Sequence, residues 1–420
     1  MKFIASGLVV ASGFGVLRVL GAQSVLMAPP PTSTQPMSVS EDETNNELNA
    51  FIPAYEQRNE SLPQPLRFGP VTFRPHPFYS FLYASGLQVG TNHAERSIIQ
   101  QISPGVTVDL GRHWTLDYTP TIAFYSNHDF RDSVNHSATL TGGTRYEDWV
   151  FGFSQSFLQS DSTMAETASQ IRQQNFDTEL TASHMLNEHF FADLGVSQKF
   201  NFAENYEDTR EWSTMDWLNY QQSKRLVFGL GAGIGFINVQ GNGSPDQVFE
   251  QLQARVQWRA TDLLSFSVNG GLDERQYLAS GYDSALNPVF GASIEYAPFE
   301  HTQISLNASR SVSSSDLFIL AQQTEGTTVS LGLNQRLLEK FYLNTTLGYT
   351  RTDYSVTFVP FKLKLPERND DLYFFNARLS RTFLKRGTVA LTYQYSDNQS
   401  NQSGFTYHSS QIGFEVGFAY

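Results

Sequence analysis

The side chains that could do chemistry are scattered along the chain. There are nine histidines, and none takes the HExxH spacing that sets two imidazoles around zinc on one helix face. His113 and His189 fall in short polar turns and His301 opens an apolar stretch, positions that suit solvated residues. Cysteine is absent, which excludes a disulfide framework, a thiolate metal site and a cysteine nucleophile. No GxSxG elbow presents a serine. The run GLGAGIG (229–235) has the glycine content of a phosphate-binding loop, but its glycines fall at every second position and no helix follows. The expectation is a protein that is not an enzyme, with no catalytic residue, no metal ligand and no cofactor.

What does repeat is charge at alternate positions. In the first half of the chain, Asp109, Asp117, Asp177, Glu179 and Asp193 fall on the polar side of alternating stretches, with Arg145 and Lys199 among them. In the second half the same side carries Arg255, Arg259, Arg275, Arg336 and Arg378, with Asp273 and Glu295. If the alternating stretches are strands of one closed sheet, these two sets line opposite arcs of its interior. An acidic wall then faces a basic wall, and a field runs across the space between them. Local pairing of these charges with neighbours is the competing expectation.

The elements that would position them are strands. From about Tyr79 the chain alternates apolar and polar residues, as in Trp114, Leu116, Tyr118, Pro120, Ile122 and Phe124 against Thr115, Asp117, Thr119 and Thr121. Very short links recur, including Gly111-Arg112-His113, Glu147-Asp148, Ser223-Lys224-Arg225 and Leu338-Glu339-Lys340, and aromatic or aliphatic residues resume at once after each. Longer polar links alternate with them. The pattern predicts about eighteen strands (16 to 20), the first near Tyr79 and the last near Thr406. Asp208 to Gln222 alternates poorly, and the stretch from Arg351 to Asp370 is long enough to carry two strands beyond a membrane.

Composition agrees. Charged residues make up only 16% of the 420-residue chain and aromatics 14%, whereas soluble domains carry roughly 25% charged residues. The net charge of −13 argues against a nucleic-acid partner, which would require a basic face. After residue 22 no apolar run approaches the ~20 residues of a membrane helix, so a spanning structure has to be a closed barrel that satisfies every backbone group within the sheet. Residues 1–22 read as a secretory signal peptide: Lys2, an apolar stretch, then small residues. Residues 23–77, rich in proline with an acidic run, read as a disordered periplasmic leader, and 78–420 as the barrel.

The chain closes on QIGFEVGFAY. Ile412, Phe414, Val416, Phe418 and Tyr420 share one face, and Glu415 lies on the other. This ending resembles the assembly signal of bacterial outer-membrane barrels, with Tyr in place of the commoner Phe. The stretch RNDDLYFFNARLSRTFLKRGTVALTYQYSDNQSN (368–401) followed by YHSSQIGFEVGFAY (407–420) is similar to the end of the putative β-barrel porin-2 family. That resemblance implies a transmembrane antiparallel up-and-down β-barrel in the outer membrane, with membrane lipid and the barrel assembly machinery as partners and a homo-oligomer allowed. It implies no catalytic residues. The function expected is a porin-like channel for small hydrophilic solutes. The alternatives are a conduit or accessory barrel for exopolysaccharide export, and a structural or surface-binding barrel. The link around Asp161 to Arg172 is the position to suspect for an inward loop that narrows such a channel, although roughly a dozen residues is short for reaching across it.

Overall fold

In the computed structural model, residues 66–419 are described except for 165–166, 242–243, 280–283, 315–321, 339, 357–366 and 385. The strands are β1 (Leu66–Phe68), β2 (Val71–Gly90), β3 (His93–Leu110), β4 (Trp114–Tyr125), β5 (Ser133–Tyr146), β6 (Trp149–Met164), β7 (Ser169–Met185), β8 (Phe190–Ala203), β9 (Asp208–Ser223) and β10 (Leu226–Gln240). They continue with β11 (Gln247–Thr261), β12 (Leu264–Tyr277), β13 (Ala285–Phe299), β14 (Thr302–Ser314), β15 (Gln322–Leu337), β16 (Phe341–Val356), β17 (Arg368–Phe383), β18 (Gly387–Ser400) and β19 (Tyr407–Phe418).

Each strand from β2 to β19 pairs antiparallel with the next, and β19 pairs back onto β2. The result is a closed barrel of eighteen strands. The seam is set by Phe414↔Phe81 and Val416↔Tyr79, with the rings of Phe81 and Phe414 stacked at 5.6 Å. Closure leaves no long edge for another chain to extend.

Alternation decides which face is which. Leu230, Leu252, Leu347 and Ile412 belong to the outward row, and all are strongly exposed. Their cross-strand neighbours on the same face are also apolar, as in Leu391↔Phe414 and Tyr393↔Ile412. An outer surface of this kind is stable only against lipid. Ile412, Phe414, Val416 and Phe418 all lie in this row; Tyr420 lies outside the described residues. At one rim the links are short, two residues (262–263) between β11 and β12 and three (111–113) between β3 and β4. At the other they lengthen to as many as eleven (357–367), and in outer-membrane barrels that rim faces the exterior.

Two details revise the sequence reading. The expected leader ran to residue 77, but the barrel begins at Val71 and a short β1 precedes it. Pro75 and Pro77 had pointed to an irregular leader. They sit instead on a stretch of β2 that faces no residue of β19, because the seam stops at Gly417↔Phe78 and β1 covers only Val71 to Phe73. A proline is tolerated where no ladder donor is required. The expected signal peptide (1–22) and leader residues 23–65 lie outside the described residues. The segment around Asp161 to Arg172 is also not a simple loop. β6 and β7 stay paired from Asp161↔Arg172 up to Met164↔Ser169, so it is an extended hairpin.

The poor alternation of Asp208–Gln222 has a structural cause. On β9 the inward row holds Met215 and Trp217 opposite Gly233 and Gly231 of β10. Large apolar residues can face inward here because the glycines leave room for them.

Candidate functional site: the lumen and its outer mouth

The lumen wall is built from the inward row of every strand. Much of it is small and polar: Ser137, Thr139 and Thr141 on β5 face inward beside Ser154 and Ser156 on β6, and Ser305, Asn307 and Ser309 on β14 stand beside Thr328, Ser330 and Gly332 on β15.

The wall under β10 is different. Its inward row is Gly229, Gly231, Gly233 and Gly235, and each position is occupied from above by a neighbour's side chain. A Cβ on Gly231 would lie 2.6 Å from the Trp217 ring, and one on Gly235 2.1 Å from Phe249. The glycine row is therefore a trough in which bulky side chains lie flat against the wall.

At the lower end of that trough sits a clasp. Arg255 Nη2 donates to Asp193 Oδ2 at 2.5 Å, and Arg255 Nε and Nη2 both donate to Asn219 Oδ1. Asn219 in turn donates to Asp193 at 3.0 Å, Ser183 Oγ donates to Asp193 at 2.6 Å, and the guanidinium lies 4.3 Å over the Trp217 ring. Higher up, Arg275 pairs with buried Asp273 at 3.0 Å, donates to the Val312 carbonyl at 2.8 Å and lies over Phe249.

The other charges singled out in the sequence can now be placed. Asp109 pairs with Arg74 at 2.7 Å. Asp117 accepts from Thr107 and Thr119 and meets His76 at 2.9 Å. Asp177 accepts from Ser156 at 3.4 Å. Arg378 pairs with Glu415 at 2.9 Å, and Arg336 lies over Tyr342 with His301 Nε2 at 3.4 Å. Glu179 and Arg259 make no side-chain hydrogen bond or ion pair among the described residues, and Arg259 is exposed. The structure thus brings Asp193 and Arg255 together from the two opposed sets and holds most of the others in local pairs. Arg74 and His76, which complete two of those pairs, were hidden in the segment read as leader.

The outer mouth narrows on one side. β2 breaks its register between Ala84 and Leu87, where Gly86 takes a φ of +75° and lies against the His408 carbonyl. Beyond this bend Thr163 Oγ1 of β6 donates to the Gln88 carbonyl of β2 at 3.3 Å. Four places around the ring separate β2 from β6, roughly 19 Å of wall at strand spacing, so the β2–β3 hairpin leans across the mouth. Under it lies an apolar cluster of Ala84, Leu87, Ile99 and Phe130, packed against Leu82, Val89 and Tyr125. Phe130 comes from the link 126–132, and its neighbour Arg131 ties that link to the β6–β7 hairpin through Asp161 at 3.3 Å and the Gln170 carbonyl at 3.2 Å.

Sequence reasoning suspected the β6–β7 segment but not the β2–β3 hairpin that meets it. The signal was present in Ser85-Gly86, where the strict alternation of β2 lapses. Beside this constriction His93, Glu95 and Asp129 bring one donor atom each within 4.8 Å of one another. The group has donors a divalent ion could use, and His93 and Glu95 already pair at 3.3 Å without one.

A closed barrel of eighteen strands with an apolar outer band and a polar lumen defines a porin-like barrel of the bacterial outer membrane. Residues 249–420 match the family described as Putative beta-barrel porin 2, and the chain is similar to that family over this stretch. Solved structures of low identity resemble the chain over most of its length. OccAB3 of Acinetobacter baumannii is 9% identical, with 83% of this chain and 99% of that one covered and a TM-score of 0.46. The siderophore receptor PirA from Pseudomonas aeruginosa is 10% identical, with 82% and 80% covered and a TM-score of 0.43. No curated protein matches the sequence significantly.

Proposed function

We propose that the protein is a passive channel for small hydrophilic solutes, narrowed at its outer mouth by the β2–β3 hairpin, and that it performs no catalysis. One observation carries the reading: bulky inward side chains of β9 and β11 are laid flat against the wall in the β10 glycine trough, with Trp217 on Gly231 and Phe249 on Gly235. Barrels of 16 to 18 strands enclose an aqueous channel unless something fills it.

Polar solutes would be favoured for two reasons. The wall offers hydroxyls and amides that replace lost water contacts, and paired charges hydrate the wall without binding a counter-ion tightly. The two charge sets act as a weak transverse field, because most of their members are already paired and, among the described residues, Glu179, Glu295 and Arg259 make no side-chain hydrogen bond or ion pair. The constriction sets an upper size limit, since its Phe130 cluster is packed and apolar.

Conductance of the purified, refolded protein in a planar bilayer tests this reading. Steady ohmic channels are expected, with larger neutral solutes excluded before smaller ones. A refolded, heat-modifiable barrel that conducts no ions would overturn it.

A further inference from the structure

The outward face of β9 carries a carboxylate in the middle of an apolar band. Its outward row reads Tyr220, Leu218, Asp216, Thr214, Trp212. Asp216 therefore lies midway between two outward aromatics, opposite Ala232 on β10 and amid Leu194, Val196, Leu218 and Leu230, all strongly exposed. It is itself exposed. One of its carboxylate oxygens accepts from the Gly195 backbone N–H at 3.2 Å, filling a gap in the β8–β9 ladder between Asp193↔Trp217 and Val196↔Thr214. The other oxygen has no partner among the described residues. A carboxylate on the lipid face is most costly near the bilayer midplane, and acyl chains offer it no donor.

The strands beside it carry polar groups in the same outward rows: Gln198 on β8, Thr178 on β7 and Gln155 on β6, joined in register as Gln155↔Thr178 and Thr178↔Gln198. Toward the short-turn rim the same face holds an apolar groove of about 630 Å³, lined by Trp114, Phe151, Phe153, Leu180 and Val196 around Gly142. On the other side of β8, Leu218 and Leu230 stand out as a ridge, 52% and 69% exposed. Groove and ridge thus flank one strand.

We propose that the β6–β10 face is where a second copy of this chain docks in the membrane. A two-fold axis along the membrane normal near β8 sets β9 of one copy against β7 of the other, and β10 against β6. Like heights then meet. The Leu218 and Leu230 ridge of each copy enters the groove of its partner. Asp216 meets the hydroxyl and amide donors of the Thr178 and Gln155 row, out of contact with lipid. Burying a carboxylate is tolerable when such donors surround it, and this arrangement supplies them without any further protein.

The natural chain contains no cysteine, so single cysteines report cleanly. In membranes treated with a mild oxidant, Leu194→Cys and Val196→Cys, both on the axis strand, are expected to give a disulfide-linked dimer of twice the chain mass. Leu331→Cys, outward on β15 at 46% exposure, is expected to stay monomeric. Adding Asp216→Leu to Leu194→Cys should abolish most of the trapped dimer while leaving single-channel conductance unchanged, which separates this proposal from the channel reading. The heat-modifiable band confirms folding of each variant. Equal trapping of Leu331→Cys, or a linked product containing a different protein, would overturn the second-copy assignment, as would monomers from both β8 variants. Undiminished trapping with Asp216→Leu would remove Asp216 from the interface.

Discussion

Glycine is put to opposite uses on two sides of the barrel. On the β2 side a single glycine, Gly86, throws a hairpin into the mouth: it adopts a left-handed φ of +75°, and everything beyond it leans toward β6. On the β10 side four glycines keep the lumen clear by letting Trp217, Met215 and Phe249 lie against the wall. One region fills the interior and the other empties it, and in both the absence of a Cβ is what permits the arrangement. The pore's dimensions are therefore governed less by strand number than by where the inward row lacks side chains.

The largest expected effect comes from Gly86→Val. A Cβ there would stand 1.8 Å from the His408 carbonyl oxygen, which is backbone and cannot step aside. The left-handed φ adds about 1–2 kcal/mol for a residue with a side chain. The bend cannot form, so the hairpin should detach from β6 and β7. The checks are a fall in folded yield by heat-modifiability and, in the folded fraction, a larger single-channel conductance. Normal conductance would mean that the hairpin does not narrow the pore.

Phe130→Ala attacks the same region without touching the backbone. The ring is 5% exposed and packs on Leu87 and Ile99. Removing a buried Phe costs about 3 kcal/mol where the site cannot collapse, and here the loss falls on the constriction, since the barrel ladder is untouched. Folded yield should hold while conductance rises and protease sensitivity appears in the link 126–132. In the opposite direction, Gly231→Leu should displace Trp217 from its trough into the lumen, because the new Cβ would sit 2.6 Å from the ring. Conductance should then fall. Opposite signs for these two substitutions would confirm that the two regions work against each other; equal signs would show that one contributes nothing to the pore.

The parts of this arrangement that follow a two-residue period could be read from the sequence. The number of strands, the alternation of short and long links, the outward row ending at Phe418 and the inward placement of Glu415 all follow from alternation alone, because a strand has no other periodicity to offer. What escaped were features in which the period breaks or the partner is remote. The Gly86 bend appears in the sequence as a brief lapse of alternation. Pro75 and Pro77 hid the first strand because a proline is foreign to the middle of a sheet and acceptable on a stretch paired on one side only, here with β3. The Asp193–Arg255 clasp spans 62 residues and three strand positions, and it exists only because Gly229 leaves a floor on which Asn219 and Arg255 can meet. No local pattern announces such a contact, since it depends on register between strands that are not neighbours.

The smallest expected effect distinguishes charges that are clasped from charges that stand alone. Arg275 and Arg255 are buried in pairs, so reversing either leaves a carboxylate facing another carboxylate in a poorly hydrated corner, and loss of folding would mask any change in selectivity. Arg259 lies on the same wall near the short-turn rim, exposed and without a side-chain partner among the described residues. Arg259→Glu should leave stability within about 0.5 kcal/mol, as exposed substitutions usually do, and should move the reversal potential in a salt gradient toward cation preference. Glu179→Gln, four strands away around the ring on β7, should move it the other way by less, since it removes one charge where the first substitution changes two. Both shifts should shrink as ionic strength rises, because the Debye length falls from about 30 Å at 0.01 M to about 3 Å at 1 M and the wall charges lose their reach across the lumen. A reversal potential that ignores both substitutions at low salt would mean that ions are selected elsewhere, and the mouth under the β2–β3 hairpin, where Arg131 and Asp161 stand, would be the place where selection occurs.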